Sequence, residues 1–227
     1  MKITITIAFV HLCDGMLYTG NSKGKVIVVS KNFYSVIKER RSFYDISPTS
    51  KVPTERIVEV IKTAIQSSPS AFNSQSAKVI LLFGEQHKKL WEFTKDALKE
   101  IVTPGNWQRT EEKITSFANG YGSVLYFDDA SIVEGLQQNF PSYCHSFPIW
   151  AQQSNGILQY MIWASLQAEG LGASLQHYNP LIDDAVKKAW DVPESWELIA
   201  QMPFGVPETN PEEKTKHPIE ERFLVYN

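Results

Sequence analysis

The segment from about Ile149 to Glu169 sets the terms for any fold this chain can adopt. It reads as one long helix carrying Ile157, Leu158, Met161, Ile162, Ala164, Ser165 and Ala168. Its apolar positions lie on more than one side, so the helix must be buried on several faces. Gly170-Leu171-Gly172 ends it, because glycine closes a helix in the left-handed conformation at little cost. A chain of 227 residues, 43% hydrophobic and 21% charged, is long enough and ordinary enough to wrap such a helix in one core.

The flanking patterns are helical and orderly from Asn32 onward. Phe33, Val36, Ile37 and Arg40 share a helix face. Pro48 and Pro53 mark a loop, after which Thr54 is placed to cap a helix with Ile57, Val58, Ile61 and Ile65 as its apolar stripe. Ser67-Ser68-Pro69-Ser70 breaks that helix. Val79 to Phe83 and Val124 to Phe127 read as short buried strands, ended by Gly84 and by Asp128-Asp129. Helices are expected over 85–102 and 109–119, parted by Pro104-Gly105. After the long helix come a strand through Ala173, Leu175 and His177, a short helix over 181–189 and a strand from Leu198 to Phe204. A loop from Pro203 to Pro218 and a last strand over Arg222 to Tyr226 complete the reading. Helices dominate and the strands do not alternate as βαβ units, so the class is α+β.

Residues 1–31 read as an extension, and residues 32–227 as the functional domain. Ile3, Ile5 and Ile7 alternate with Thr4 and Thr6 as in a strand, and Val26 to Val29 reads as a second strand after a turn over Asn21 to Lys25. Lys2 and the short apolar run after it faintly resemble a signal peptide, but no small-residue cleavage site follows, so export is not expected.

Charge and cysteine content narrow the function. Net charge is −3 and the pI is near 6.0, which gives no basic surface for nucleic acid or an anionic membrane. The two cysteines, Cys13 and Cys144, exclude a disulfide framework and favour a reducing, cytoplasmic compartment. Cys144-His145 lacks the spacing of a metal site. No apolar run reaches the ~18 residues of a transmembrane helix.

Four pieces of sequence carry chemistry. Arg40-Arg41-Ser42, at a helix end, supplies two planar guanidiniums and a hydroxyl suited to a phosphate; the same residues at a helix C-terminus also complement the macrodipole. Lys214 and Lys216 form a second basic pair in a Pro-rich acidic loop. Ser70-Ala71-Phe72-Asn73-Ser74-Gln75 places small and amide side chains after a proline break, where they match a planar ligand edge bearing both donors and acceptors. Leu175-Gln176-His177-Tyr178-Asn179-Pro180 is the fourth, with His177 an acid that lacks any partner carboxylate in the sequence. No G-x-G-x-x-G follows a strand, so a separate Rossmann site for a nicotinamide is not expected.

In this order the four pieces resemble the nitroreductase family of FMN-dependent oxidoreductases, over roughly residues 33–227. Gly122 to Asp129, then Phe140-Pro141-Ser142-Tyr143 leading to Phe147 and Trp150, is similar to a subgroup that includes the fungal fatty-acid-repression-type nitroreductases. The resemblance implies a central, mostly antiparallel sheet flanked by helices and an intertwined homodimer with two FMN sites at the subunit interface. It implies that Arg40, Arg41, Ser42, Lys214 and Lys216 hold the phosphate. Ser70, Ala71, Asn73 and Gln75 reach the flavin from the partner subunit, and Ser154 lies near the ring. Leu175, Gln176 and His177 pass under the isoalloxazine. Tyr44 stands where many relatives carry a Lys or Arg near the flavin N1/O2 edge, which leaves Arg41 as the charge to compensate. The implied reaction is a ping-pong transfer from NADH or NADPH through the flavin to a planar acceptor such as a nitroaromatic or quinone. Phe72, Phe127, Tyr143, Phe147 and Trp150 are the expected wall of the acceptor pocket. The rivals are a flavin protein with a regulatory role in lipid or oxidative-stress signalling, and an interaction protein that has lost the cofactor. The intact basic set argues against the second.

Overall fold

The structure, a computed structural model, describes the backbone of residues 10–13, 16–20 and 26–28, and residues 32–227 in full. In the first part β1 (Val10–Cys13), β2 (Met16–Gly20) and β3 (Val26–Val28) form an antiparallel sheet of their own. β3 falls where a strand is expected; the run from Ile3 to Ile7 and the turn over Asn21 to Lys25 lie outside the described residues. The hairpin of β1 and β2 has no counterpart in the sequence reading.

The main sheet has the order β4-β8-β6-β5, with β7 added against β8. Its strands are β4 (Ile46–Ser47), β5 (Ala77–Phe83), β6 (Gly122–Asp129), β7 (Gly172–Ala173) and β8 (Trp196–Pro207), paired antiparallel throughout. β6 is the central strand and is buried on both sides. Its side chains alternate between two cores, as the strand period requires. Val124 and Tyr126 join one cluster, Leu125 and Phe127 the other.

On the first face lie α2 (Thr54–Ser67) and α6 (Phe147–Ala168). Ile57, Ile61 and Ala64 of α2 meet Leu158, Ile162 and Leu166 of α6 over Ala200, Met202 and Phe204. α6 is the long helix expected from the sequence, with Pro148 in its first turn, where a missing N–H leaves nothing unsatisfied. Gly170, at φ +83°, ends it. On the second face α3 (Gly84–Ile101), α4 (Pro104–Ala118) and α7 (Asp183–Ala189) pack through Leu90, Trp91, Ile114, Phe117 and Val186. α1 (Phe33–Glu39) and α5 (Ala130–Asn139) lie against α6.

The class and the antiparallel sheet agree with the sequence reading; six local expectations do not. Thr54 is not a cap: Pro53 takes that position, and the Thr54 hydroxyl pairs with the Tyr121 hydroxyl at 2.7 Å. α4 starts at Pro104, because proline suits a first helical turn better than it separates two helices. Asp128-Asp129 does more than end β6, since the Asp129 carboxylate accepts from Ser131 N at 3.2 Å and so caps α5. The strand through Ala173, Leu175 and His177 shrinks to β7 plus a single bridge between Gln176 and Gln201, because the Gln201 side chain takes the Tyr178 N–H at 2.7 Å. β8 runs through Pro203 to Pro207, so the loop begins later than expected. Arg222 to Tyr226 forms no strand: Phe223, Leu224, Val225 and Tyr226 are all exposed, with no strand among the described residues beside them.

Candidate functional site

α1 delivers the first basic group. Asn32 caps it by accepting from Tyr34 N at 2.9 Å, and Arg40 ends it with its N–H on the Val36 carbonyl. The Arg40 guanidinium lies 4.2 Å from the ring centre of Trp163 on α6. A contact of this kind contributes about 0.5–2 kcal/mol and fixes the cation at the surface of α6. The Trp163 N–H beside it is buried and has no acceptor. Beyond Arg40 the chain runs along β7, where Ser42 bridges Ala173 and Phe43 N donates to Ala173 O at 3.0 Å. Gly172 makes this approach possible, because a Cβ there would sit 2.8 Å from both the Phe43 ring and Pro207.

Arg41 turns the other way and donates to the Glu212 carbonyl. That bond ties the Pro-rich loop to the basic cluster. Lys214 follows Glu212 by two residues, at most about 7 Å of chain. Lys214 and Lys216 are exposed and without hydrogen-bond or ion-pair partners. Among the described residues no carboxylate neutralises Arg40, Arg41, Lys214 or Lys216. The segment after β7 flanks this set. Gln176 exchanges backbone bonds with Gln201 at 2.7 and 2.9 Å, and its side chain turns inward to donate to Ser174 Oγ. Leu175 is half-buried against the first core. His177 is exposed and has no carboxylate partner, so the structure adds nothing to its reading as an acid. Tyr44 is 47% exposed and rests on Phe117, with the ring centres 5.7 Å apart.

The second set follows α2. Ser70 Oγ accepts the Gln75 N–H at 3.0 Å, folding the segment into a tight loop. Phe72, Asn73 and Gln75 take positive φ of 57°, 52° and 51°. Each costs about 1 kcal/mol or more, so the surroundings must hold the loop in place. The Ser76 hydroxyl donates to the Asp128 carboxylate at 3.0 Å, and Asp129 N donates to Ser76 O at 3.0 Å. Burial holds the Asp128 carboxyl above the usual range. Ser70 and Ala71 line an open groove of about 410 Å³ with Phe72, Trp150 and Ser154. Ser154 is buried and donates to the Trp150 carbonyl at 2.8 Å, while Asn73 and Gln75 remain exposed.

Phe72 stands among aromatic rings. Phe140, Phe147 and Trp150 lie 5.0, 5.2 and 6.1 Å from it, and Tyr143 6.0 Å. Phe127 does not join this wall, because it is fully buried in the second core. The sequence reading missed Phe140 in the wall and Trp163 beneath Arg40. Nothing local to Arg40 signals that an indole far along the chain lies beneath it. Among the described residues no hydrogen bond, ion pair or ring contact joins the basic set to the loop Ser70–Gln75. Both sets touch α6, at Trp163 and Ser154, about 13 Å apart along its axis.

The family model described as the nitroreductase family matches residues 37–206. The chain belongs to the nitroreductase family. The yeast Saccharomyces cerevisiae protein described as putative nitroreductase HBN1 is 36% identical over 185 residues, which covers 81% of this chain and 92% of the yeast protein. The nitroreductase CinD from Lactococcus lactis, solved in complex with chloramphenicol, is 38% identical with a TM-score of 0.79, covering 86% of this chain and all of CinD. A nitroreductase with bound FMN from Desulfitobacterium hafniense shares the fold, with a TM-score of 0.65 at 16% identity over 88% of this chain and all of that one. This nitroreductase is accordingly an oxidoreductase, with the sheet and helices of its family.

Proposed function

We propose that this nitroreductase binds FMN between two copies of the chain and uses NADH or NADPH to reduce planar acceptors such as nitroaromatics and quinones. The observation that carries the reading is the separation of two sets of polar groups on the α6 side of the sheet, each incomplete alone. The basic set has four cations that no described carboxylate neutralises, together with an orphaned indole N–H, and this chemistry suits a phosphate. The loop set offers exposed amides and a groove beside aromatic rings, which suits a planar ring system. Arg40, Arg41, Ser42, Lys214 and Lys216 hold the phosphate of one cofactor. Ser70, Ala71, Asn73 and Gln75 of a second copy close on its ring, near Ser154. The segment Leu175–His177 lies under the ring with its backbone. When bound, FMN supplies the chemistry, taking up and releasing two electrons with a proton. The aromatic wall around Phe72 excludes water and stacks on the acceptor. The Lactococcus relative is described in complex with 4-nitrophenol as well as chloramphenicol, which supports nitroaromatic acceptors. The low cysteine content fits work in the cytoplasm.

The visible spectrum of the purified protein, with FMN added, tests this. Flavin bands that bleach with NADH or NADPH and return with a nitroaromatic are expected. A protein that takes up no FMN would refute the reading. One that binds FMN but oxidises neither nucleotide with any acceptor would favour a regulatory role. Arg40→Ala is expected to weaken FMN binding about 10- to 100-fold, because one charge-assisted bond is worth about 1.5–3 kcal/mol. Equilibrium dialysis of FMN measures this.

A further inference from the structure

Tyr44 carries no charge, and Arg41, assigned above to the phosphate, turns away to the Glu212 carbonyl. A different cation stands over Tyr44. Lys113, on α4, places its Nζ 5.8 Å from the centre of the Tyr44 ring and 5.7 Å from that of Phe117. It makes no ion pair among the described residues. The two carboxylates before it on α4 are occupied, Glu111 by Lys95 at 2.5 Å and Glu112 by the Gln108 amide at 3.1 Å. Beyond the two rings, the Lys113 ammonium has no other partner among the described residues. Tyr44 also borders the segment after His177: burial, and next the nearness of Tyr44, push the Tyr178 hydroxyl up to about 12. Tyr44 therefore lies close both to the Lys113 ammonium and to Tyr178, the residue that follows the segment proposed to underlie the flavin.

We infer that Lys113 supplies, across the Tyr44 ring, the positive charge that sets how strongly this site prefers reduced over oxidised flavin. The inference rests on the FMN reading above. A cation near the pyrimidine edge of the ring favours the form richer in electrons, and the protein tunes the cofactor through such charges. Lys113 is exposed, so its effect is moderate and is screened by salt. It is a positioned charge rather than a phosphate ligand, so oxidised FMN should bind almost as well without it.

The experiment compares midpoint potentials of the FMN-loaded protein at low salt for the unsubstituted chain, Lys113→Met and Lys113→Arg. Lys113→Met is expected to keep oxidised FMN bound and to lose three- to tenfold in its preference for the reduced form. For a two-electron couple at about 29.6 mV per tenfold, that is a fall of about 14–30 mV. Lys113→Arg should hold the original potential, and Tyr44→Lys placed in the Lys113→Met chain should restore it. The shift should shrink in high salt. A Lys113→Met protein with bound FMN and an unchanged low-salt potential overturns the inference. So does a fall that Lys113→Arg reproduces, since that would mark a packing effect and not a charge. A chain that takes up no FMN at all overturns the flavin reading itself, and the two failures are told apart by the spectrum before any titration.

Discussion

The two faces of the sheet are finished differently. The face under α3 and α4 is sealed by its own chain, and three of its buried polar side chains form one matched network. Trp91 N–H donates to Ser123 Oγ at 3.0 Å, Ser123 Oγ meets His87 Nδ1 at 2.9 Å, and His87 Nε2 meets the Ala118 carbonyl at 3.2 Å. With the ring proton assigned to Nε2 by that carbonyl, every member of the network is satisfied. The face under α2 and α6 is one layer short. Ile149 and Ile157 of α6 are 57% and 44% exposed, and Phe33 and Tyr34 of α1 are exposed nearby. Arg40, against Trp163 of α6, and the groove of Ser70, Ala71 and Ser154 border this unfinished side. A face that a single chain leaves apolar and open is where a second copy and a cofactor gain most by binding.

Substitutions on the open side should have the largest effects. Ile157→Glu places a charge in the proposed dimer contact, where desolvation costs several kcal/mol. Sedimentation should show a monomer, and the protein should lose its FMN. If the dimer and the flavin persist, this side is not the interface.

The sealed side should respond to pH instead. Burial, the largest cause, lowers the His87 pKa from the ordinary 6.5 to about 4. The folded chain keeps the imidazole neutral, so the unfolded chain takes up the proton more readily. Stability is therefore full above about pH 6.5, is lost as the pH falls toward about 4, and the total is about 3 kcal/mol at most. Denaturant titrations between pH 7 and pH 4 measure this, and His87→Gln should flatten the profile. A flat profile in the unsubstituted chain would mean that the network does not control stability.

Between the faces, Gly172→Ala should cost about 1–3 kcal/mol by pushing Phe43 and Pro207 apart. It should also loosen FMN, because Ser42 and Phe43 lean on Ala173. The smallest effect is expected at the rim of the open side. Arg56 bonds Glu169 at 2.8 Å and joins α2 to the end of α6, but its side chain is 46% exposed. Arg56→Ala should change stability by less than about 1 kcal/mol, as read by thermal unfolding.

The sequence shows the sealed side and the long helix more clearly than the site. β5, β6, β8 and α6 are legible because period and burial agree along each of them. α5 escapes notice because its cap, Asp129, also reads as a strand end. The last strand was expected from a short apolar run, but pairing is not a local property, and among the described residues Phe223 to Tyr226 have no strand beside them. The polar pieces of the site were legible as chemistry, at Arg40 to Ser42 and Ser70 to Gln75. What they rest on was not, since Trp163 under Arg40, Lys113 over Tyr44 and Gln201 behind Gln176 are long-range contacts with no spacing signal.

The central claim is that one chain cannot complete the site, and mixing two damaged chains tests it directly. Arg40→Ala removes the phosphate group of ligands, and Ala71→Trp fills the groove beside the loop. Each protein alone should hold little FMN. After the two are unfolded and refolded together, mixed dimers contain one intact site, and FMN that bleaches with NADH or NADPH should reappear in the dimer fraction. A mixture that stays colourless, while the unsubstituted chain refolded in the same way recovers its flavin, would contradict a site shared between two chains.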